Sequence, residues 1–238
     1  MNRVEVWHVP LALDAVQCRA AEAWLDEGER ERVRRLVRPS DRMAYTAAHA
    51  ALRGLLAARC SERPARLCFA SGPAGKPQLD PTAHPQALQF NLSHSGAHAL
   101  IALGMHAHVP VGIDLEVLEN AQEHAAELSD VFCPQERQEI AALTAAERAL
   151  ASYRCWTRKE AVLKAAGCGF QVEPTTLRVS TGPEARLLAS EHPAIDAAAW
   201  SLVSLDRAGH WAGALAAAGP APVVAWREWN WGNWEVLA

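Results

Sequence analysis

Two short stretches carry acids and a lysine at spacings that suit the chemistry of a metal-bound polyphosphate. The first, Trp156 to Gly169, reads as the last turns of a helix closed by glycine. Trp156, Glu160 and Lys164 share one helical face, while Val162, Leu163 and Ala166 supply much of the apolar opposite side. The second is Pro110-Val-Gly-Ile-Asp-Leu-Glu116, where Val111, Ile113 and Leu115 alternate with Gly112, Asp114 and Glu116. As a strand it sends the aliphatic chains to one face and both carboxylates to the other. Like charges on one face repel unless water, a cation or protonation relieves them, and hard oxygen ligands favour magnesium over zinc. Each stretch alone also has a plain reading. Glu160 and Lys164 form an ordinary surface pair worth a few tenths of a kcal/mol, and Asp114 with Glu116 the solvated face of an edge strand. Together they place Glu160 as a third oxygen donor beside Asp114 and Glu116, with Lys164 one turn on to neutralise the same phosphates.

The elements before them supply groups that could hold an anion. Gln89-Phe-Asn-Leu-Ser-His-Ser-Gly96 and the apolar run 97–103 read as strand, turn and strand, with Ser93, His94 and Ser95 on the glycine-ended turn. A Ser93-His94-Asp114 hydrolase triad is disfavoured, because adjacent side chains project differently and no G-x-S-x-G elbow is present. Hydroxyls and an imidazole on a turn are instead good donors to phosphate. Ser-Gly-Pro-Ala-Gly-Lys-Pro, residues 71–77, is a turn-rich loop with Lys76 at its tip, either simply exposed or fixed as a cation against a nucleotide. In the charge run 26–42 the acids cluster early and leave Arg34, Arg35, Arg38 and Arg42 without close acidic neighbours except Asp41. That arrangement suits a phosphate grip better than self-neutralisation, although a solvated helix is the plain alternative. His94 with His98, and His106 with His108, lack the context of a zinc site.

Scaffolding and composition bound the rest. Val4 to Val9 is a first strand ended by Pro10, Asp14 begins a helix, and residues 41–58 form a long alanine-rich helix with Tyr45, Ala48, Leu52 and Leu55 inward. A short strand is expected near Leu67 to Ala70. Pro134 starts a helix that Glu136 caps, residues 139–164 are helical with a break, and the alternating segments after Gly169 form an antiparallel sheet that supports the preceding helix. Trp226, Trp229, Trp231 and Trp234, four of nine tryptophans, cover a core edge in preference to a partner surface. With 238 residues and 50% hydrophobic content the chain holds one large or two small domains. No apolar run spans a bilayer and no signal layout opens the chain, so a cytoplasmic protein is expected, with its six cysteines as reduced thiols. A net charge of -4 argues against general nucleic-acid binding and requires any polyanion site to be focal.

Taken in order, Gly75-Lys-Pro77, Phe90-Asn-Leu-Ser-His-Ser95, Gly112-Ile-Asp-Leu-Glu116, Phe132 with Glu136, and Trp156-Thr-Arg-Lys-Glu-Ala161 with Lys164 resemble the long, Sfp-type 4'-phosphopantetheinyl transferases. The resemblance covers roughly residues 30–180 and implies an α+β fold of two similar pseudo-symmetric halves, 1–109 and 110–238, each with a small mainly antiparallel sheet on helices. It implies a monomer with coenzyme A and magnesium, or manganese, between the halves, and an apo acyl or peptidyl carrier protein as transient partner. Asp114, Glu116 and Glu160 would hold the metal, Glu160 and Lys164 would be catalytic, and Arg32, Arg42, Lys76, Pro77, Ser93, His94 and Lys164 would bind coenzyme A. The family often has basic residues one turn before Arg32, where this chain has Glu29. The region that meets the carrier contains Glu119, Glu123 and Glu127, so docking on an acidic carrier would lean on apolar contacts. A magnesium-dependent phosphodiesterase acting on coenzyme A and a non-catalytic coenzyme A binding module are the competing readings.

Overall fold

The computed structural model describes residues 2–85, 88–105, 109–119, 121, 125 and 127–232, so His106, His108, Glu123 and Trp234 lie outside it. The first half runs β1 (Arg3–Pro10), α1 (Ala15–Trp24), α2 (Glu27–Arg35), α3 (Pro39–Cys60), β2 (Phe69–Ser71), β3 (Pro77–Leu79), β4 (Gln89–Ser95) and β5 (His98–Gly104). The second runs β6 (Val111–Val117), α4 (Pro134–Ala141), α5 (Ala145–Ala166), β7 (Leu177–Val179), β8 (Leu187–Ser190), β9 (Trp200–Ser204), β10 (Trp211–Ala218) and β11 (Val223–Glu228). The fold is α+β. One sheet has the order β11-β1-β5-β4 and a second β6-β10-β9, with two short hairpins β2-β3 and β7-β8 beside them.

Each large sheet is backed by one 22-residue helix, α3 in the first half and α5 in the second. Small residues bring α3 close: Ala47, Ala48, Ala50 and Ala51 are all buried in the first core with Leu52, Leu55, Ile101 and Leu103. The helix starts are specified locally. Asp14 accepts from the amides of Val16 and Gln17, and Asp26 accepts from that of Glu29, whose carboxylate returns to the Asp26 amide. Residues 142–144 separate α4 from α5, where Thr144 and Glu147 form the next capping box.

A third core cluster joins the halves. Val4, Val6, Leu100 and Ala102 from β1 and β5 pack on Val111, Ile113, Leu115 and Leu215 from β6 and β10. Both faces of β5 are therefore buried, which accounts for its unbroken apolar sequence. The C-terminal segment crosses this boundary: β11 pairs in parallel with β1, and Trp229 and Trp231 are buried in the first core. Gly54 of α3 makes room for them, since a Cβ there would lie 2.5 Å from Trp24 and 3.0 Å from Trp229. Trp226 remains partly exposed on β11.

α5 also fixes its own half through two buried cations. Lys159 pairs with Glu136 at 2.7 Å, both side chains fully buried, and donates to the carbonyls of Val131, Pro174 and Leu177. Arg158 donates to the carbonyls of Ser180 and Pro183. Glu136 accepts from the Cys133 amide as the expected cap, and from the Val179 amide as well.

Candidate active site

β6 sends Val111, Ile113 and Leu115 into the core between the sheets and turns Asp114 and Glu116 to the other side. That other side is not a solvated edge, because β4 runs beside β6 in the same direction and supplies side-chain partners. Asn91 accepts from the Ile113 amide (2.8 Å) and Ser95 from the Val117 amide (3.2 Å). Ser93 and Ser95 lie within β4, not on the turn expected for them, which is Gly96-Ala97. Two residues apart on a strand, both reach β6: the Ser93 hydroxyl donates to Asp114 and the Ser95 hydroxyl to Glu116, each at 2.7 Å. No histidine intervenes between Ser93 and Asp114, so the triad order is absent.

α5 closes the site from the second half. Gly112 has no side chain to hold the helix away, and a Cβ built there would sit 2.2 Å from the Ala161 carbonyl. This contact sets Glu160 and Lys164 beside the strand carboxylates. Lys164 Nζ lies 2.6 Å from Asp114 Oδ1 and 3.2 Å from Ser93 Oγ. Asp114, Glu116, Glu160, Lys164, Trp156, Ser93 and His94 line one cleft of ≈ 320 Å³. A second pocket of ≈ 440 Å³ shares Trp156, Glu160 and Lys164 and continues over Leu163, Val172 and Pro174. A larger cavity of ≈ 600 Å³ between α4 and the start of α5 has no acidic residue among the described residues of its wall and lies away from this chemistry.

Electrostatically the cleft is short of positive charge. Burial raises the pKa of Glu160 above the usual carboxylate range, with the Asp114 charge adding to it and Lys164 opposing. Glu116 is raised by burial and then by Asp114, against the Ser95 hydroxyl, the Trp156 indole N–H and Lys164. Trp156 therefore serves the site as well as the packing. Among the described residues, the buried Asp114 Oδ2 has no hydrogen-bond partner. An orphaned carboxylate oxygen beside two more carboxylates is a donor set that fits a hard divalent cation. Among the described residues no three such ligands form a preformed cage.

The other expected ligands fall in different places. His94 lines the cleft wall, its pKa lowered by partial burial of the ring and then by His49 and Lys164, with Asp41 opposing. Lys76 is half-buried outside the cleft wall and donates to the carbonyls of Val111 (2.9 Å) and Ala165 (3.3 Å); Pro77 opens β3 and is exposed. Arg32 and Arg42 are exposed on the first half and do not line the cleft; Arg42 donates to the Leu36 carbonyl. Arg34 and Arg35 correct the reading of the charge run. One helical turn brings Arg34 and Arg35 to Glu31, and two turns bring Arg34 to Glu27, so these two are self-neutralised. Glu29, the departure from the family pattern, caps α2 and binds Arg53 and His49 of α3. Sequence reasoning missed Lys159 as a buried cation, although its spacing from Cys155, Val162 and Leu163 places it on the apolar face.

Comparison with known proteins shows the family. Residues 110–217 match the 4'-phosphopantetheinyl transferase superfamily, and residues 14–106 match the N-terminal family of 4'-phosphopantetheinyl transferases. The 4'-phosphopantetheinyl transferase HetI of Nostoc sp. is 31% identical over 219 residues, 92% of this chain and 89% of that protein. This chain belongs to the 4'-phosphopantetheinyl transferases. It is of the long type, in which both matched regions sit in one chain. A Synechocystis relative is 35% identical over 149 residues, 63% of this chain and 59% of that one. The 4'-phosphopantetheinyl transferase AcpT of Salmonella typhimurium is 38% identical over 96 residues, 40% of this chain and 47% of that one. Among the described residues of this transferase, no helix is long and apolar enough to cross a membrane.

Proposed function

We propose that this transferase moves 4'-phosphopantetheine from coenzyme A to a serine of an apo acyl or peptidyl carrier protein and releases adenosine 3',5'-bisphosphate. The observation that carries the reading is the convergence of Asp114, Glu116 and Glu160 with Lys164 in one cleft. Three acids and one lysine repel a free anion, yet accept a pyrophosphate that arrives with a divalent cation. Magnesium or manganese, held by Asp114, Glu116 and Glu160, would supply neutralisation of the pyrophosphate oxygens.

The chain's own groups then have separable tasks. Ser93 and Ser95 orient the two strand carboxylates, so the first half fixes ligands that belong to the second. Lys164 meets charge that develops on the phosphate oxygens, and His94 donates to the nucleotide phosphates from the cleft wall. Arg32 and Arg42 extend this grip from the exposed face of the first half. Glu160 takes the proton of the carrier serine as its oxygen bonds to the β-phosphorus. The bond from that phosphorus to the adenosine-bearing phosphate breaks, and the electron pair leaves with adenosine 3',5'-bisphosphate. A carboxylate whose pKa is already raised is a better base near neutral pH than an ordinary one.

Incubation with coenzyme A, magnesium and an apo carrier, followed by intact mass measurement, tests the reading. The carrier is expected to gain one phosphopantetheine. Free phosphopantetheine with an unmodified carrier would establish a phosphodiesterase, and binding without turnover across several carriers a coenzyme A module.

A further inference from the structure

The geometry points to Lys76 as a positioning residue that ties the helix bearing Glu160 and Lys164 to the strand bearing Asp114 and Glu116. The inference rests on the transferase reading above and gives Lys76 a task other than nucleotide contact. Its ammonium donates to the carbonyl of Val111, the first residue of β6, at 2.9 Å, and to that of Ala165, in the last turn of α5, at 3.3 Å. Lys164 directly precedes Ala165, and Asp114 lies three residues beyond Val111. One side chain from the first half thus staples together the two elements that must hold their charges in register.

The chemistry of the contact favours this task. The last carbonyls of a helix lack intrahelical donors and carry the negative end of the macrodipole, so an ammonium there is stabilising. α5 ends one residue later at Ala166, capped by Gly167 in the left-handed conformation, and the Ala165 carbonyl is one of those terminal acceptors. Burial lowers the pKa of Lys76 to about 8, and its ammonium donates to these two carbonyls. A flexible phosphate-binding lysine would stay hydrated and free to move, whereas this one is fixed at both ends. Its own loop is closed by bonds from the Gly72 amide to the Lys76 carbonyl and from the Gly75 amide to the Gly72 carbonyl. Ala74 is held at φ 49°, an uncommon conformation for a residue with a Cβ, and packs 3.4 Å from the Cβ position of Gly169 just beyond α5. The loop is therefore braced against the end of the helix that Lys76 caps.

Three measurements on Lys76→Met and Lys76→Arg separate positioning from ligand binding. The first is kcat for carrier modification at saturating coenzyme A, the second the affinity for adenosine 3',5'-bisphosphate by calorimetry, and the third amide hydrogen exchange over residues 160–169. Lys76→Met is expected to lower kcat by about ten- to a hundredfold, the effect of a misplacement below 1 Å. It is expected to leave adenosine 3',5'-bisphosphate affinity within about threefold and to speed exchange at the end of α5. Lys76→Arg, whose fork can span two carbonyls, is expected to recover most of kcat. A tenfold loss of adenosine 3',5'-bisphosphate affinity, or an unchanged kcat with unchanged exchange, would overturn the inference. If Lys76→Met does not fold, Lys76→Arg decides: full affinity with slowed exchange relative to a Lys76→Gln control supports the staple, and equal exchange in both refutes it. Failure of the parent reading looks different, because the wild-type protein itself would then leave every carrier unmodified.

Discussion

Alanine at position 112 separates the two elements that carry the charged cluster. The glycine is not there for a left-handed turn, since its φ lies outside that region; it is there for distance. An added Cβ would meet the Ala161 carbonyl oxygen at 2.2 Å, the Ala165 nitrogen at 2.3 Å and the Ala165 Cα at 2.9 Å, all of them helix backbone. Real Cβ contacts essentially never fall below 3.0 Å, so β6 and α5 must part by about 1 Å. Backbone cannot rotate aside as a side chain would, which puts the cost at the upper end of overpacking, about 3 kcal/mol. For a chain of this size that is a fall in Tm of roughly 6–12 °C. The same opening draws Lys164 off Asp114 and carries Glu160 away from the strand carboxylates, and a shift of that size costs about a hundredfold in rate. Thermal unfolding and carrier modification at saturating coenzyme A measure the two effects. Gly182→Ala is the control, because none of the described residues lies within 4 Å of its Cβ position. A Gly112→Ala protein with a Tm within 2 °C of wild type and turnover within threefold would refute the reasoning.

Other perturbations test the remaining parts. Lys159→Met leaves Glu136 as an uncompensated buried carboxylate and is expected to cost about 3–5 kcal/mol, read by denaturant unfolding; the reading fails if the loss is under about 1 kcal/mol. Glu160→Gln is expected to abolish transfer while keeping the fold, and near wild-type turnover would remove Glu160 as the base. Its stability carries a second signature. Because the folded-state pKa of Glu160 is raised, wild type loses stability as pH climbs from the ordinary carboxylate range through the raised value, whereas a Gln lacks that loss. Without metal, Glu160→Gln should therefore melt higher than wild type at pH 7.5 and lose this advantage at pH 4; a pH-independent difference would contradict the assignment. Chelation is expected to stop transfer reversibly with little change in circular dichroism, because Ser93 and Lys164 already hold Asp114. Trp229→Ala removes a ring packed against Trp7, Trp24 and Trp231 and should cost about 3–5 kcal/mol despite lying far along the chain from that core; a neutral result would undo the placement of the tail.

Much of this was legible locally. The alternation in 111–116 and the helical spacing of Trp156, Glu160 and Lys164 fix which side of each element a residue occupies, because those periods are properties of the backbone. The caps at Asp14 and Glu136, the glycine close of α5 and the presence of a break within residues 139–164 are equally local, each resting on hydrogen bonds within a few residues. What period and capping leave open is the partner across space. Arg34 looked free because linear spacing hides a contact made one helical turn away and another made two turns away. Ser93 and Ser95 looked like phosphate donors because nothing in their own segment shows that β4 runs beside β6. Lys76 looked like a loop-tip cation because its carbonyl acceptors lie 35 and 89 residues away.

The sequence by itself determined which residues carry charge, which faces are apolar and where each element begins and ends. Only the tertiary structure decided that Gly112 lets α5 touch β6, that two serines of one half hold the carboxylates of the other, and that the C-terminal strand completes the N-terminal sheet. The reason is range. Propensity and periodicity act over a few residues, whereas the cleft is made of contacts between segments whose proximity depends on how the sheets pack over their shared core.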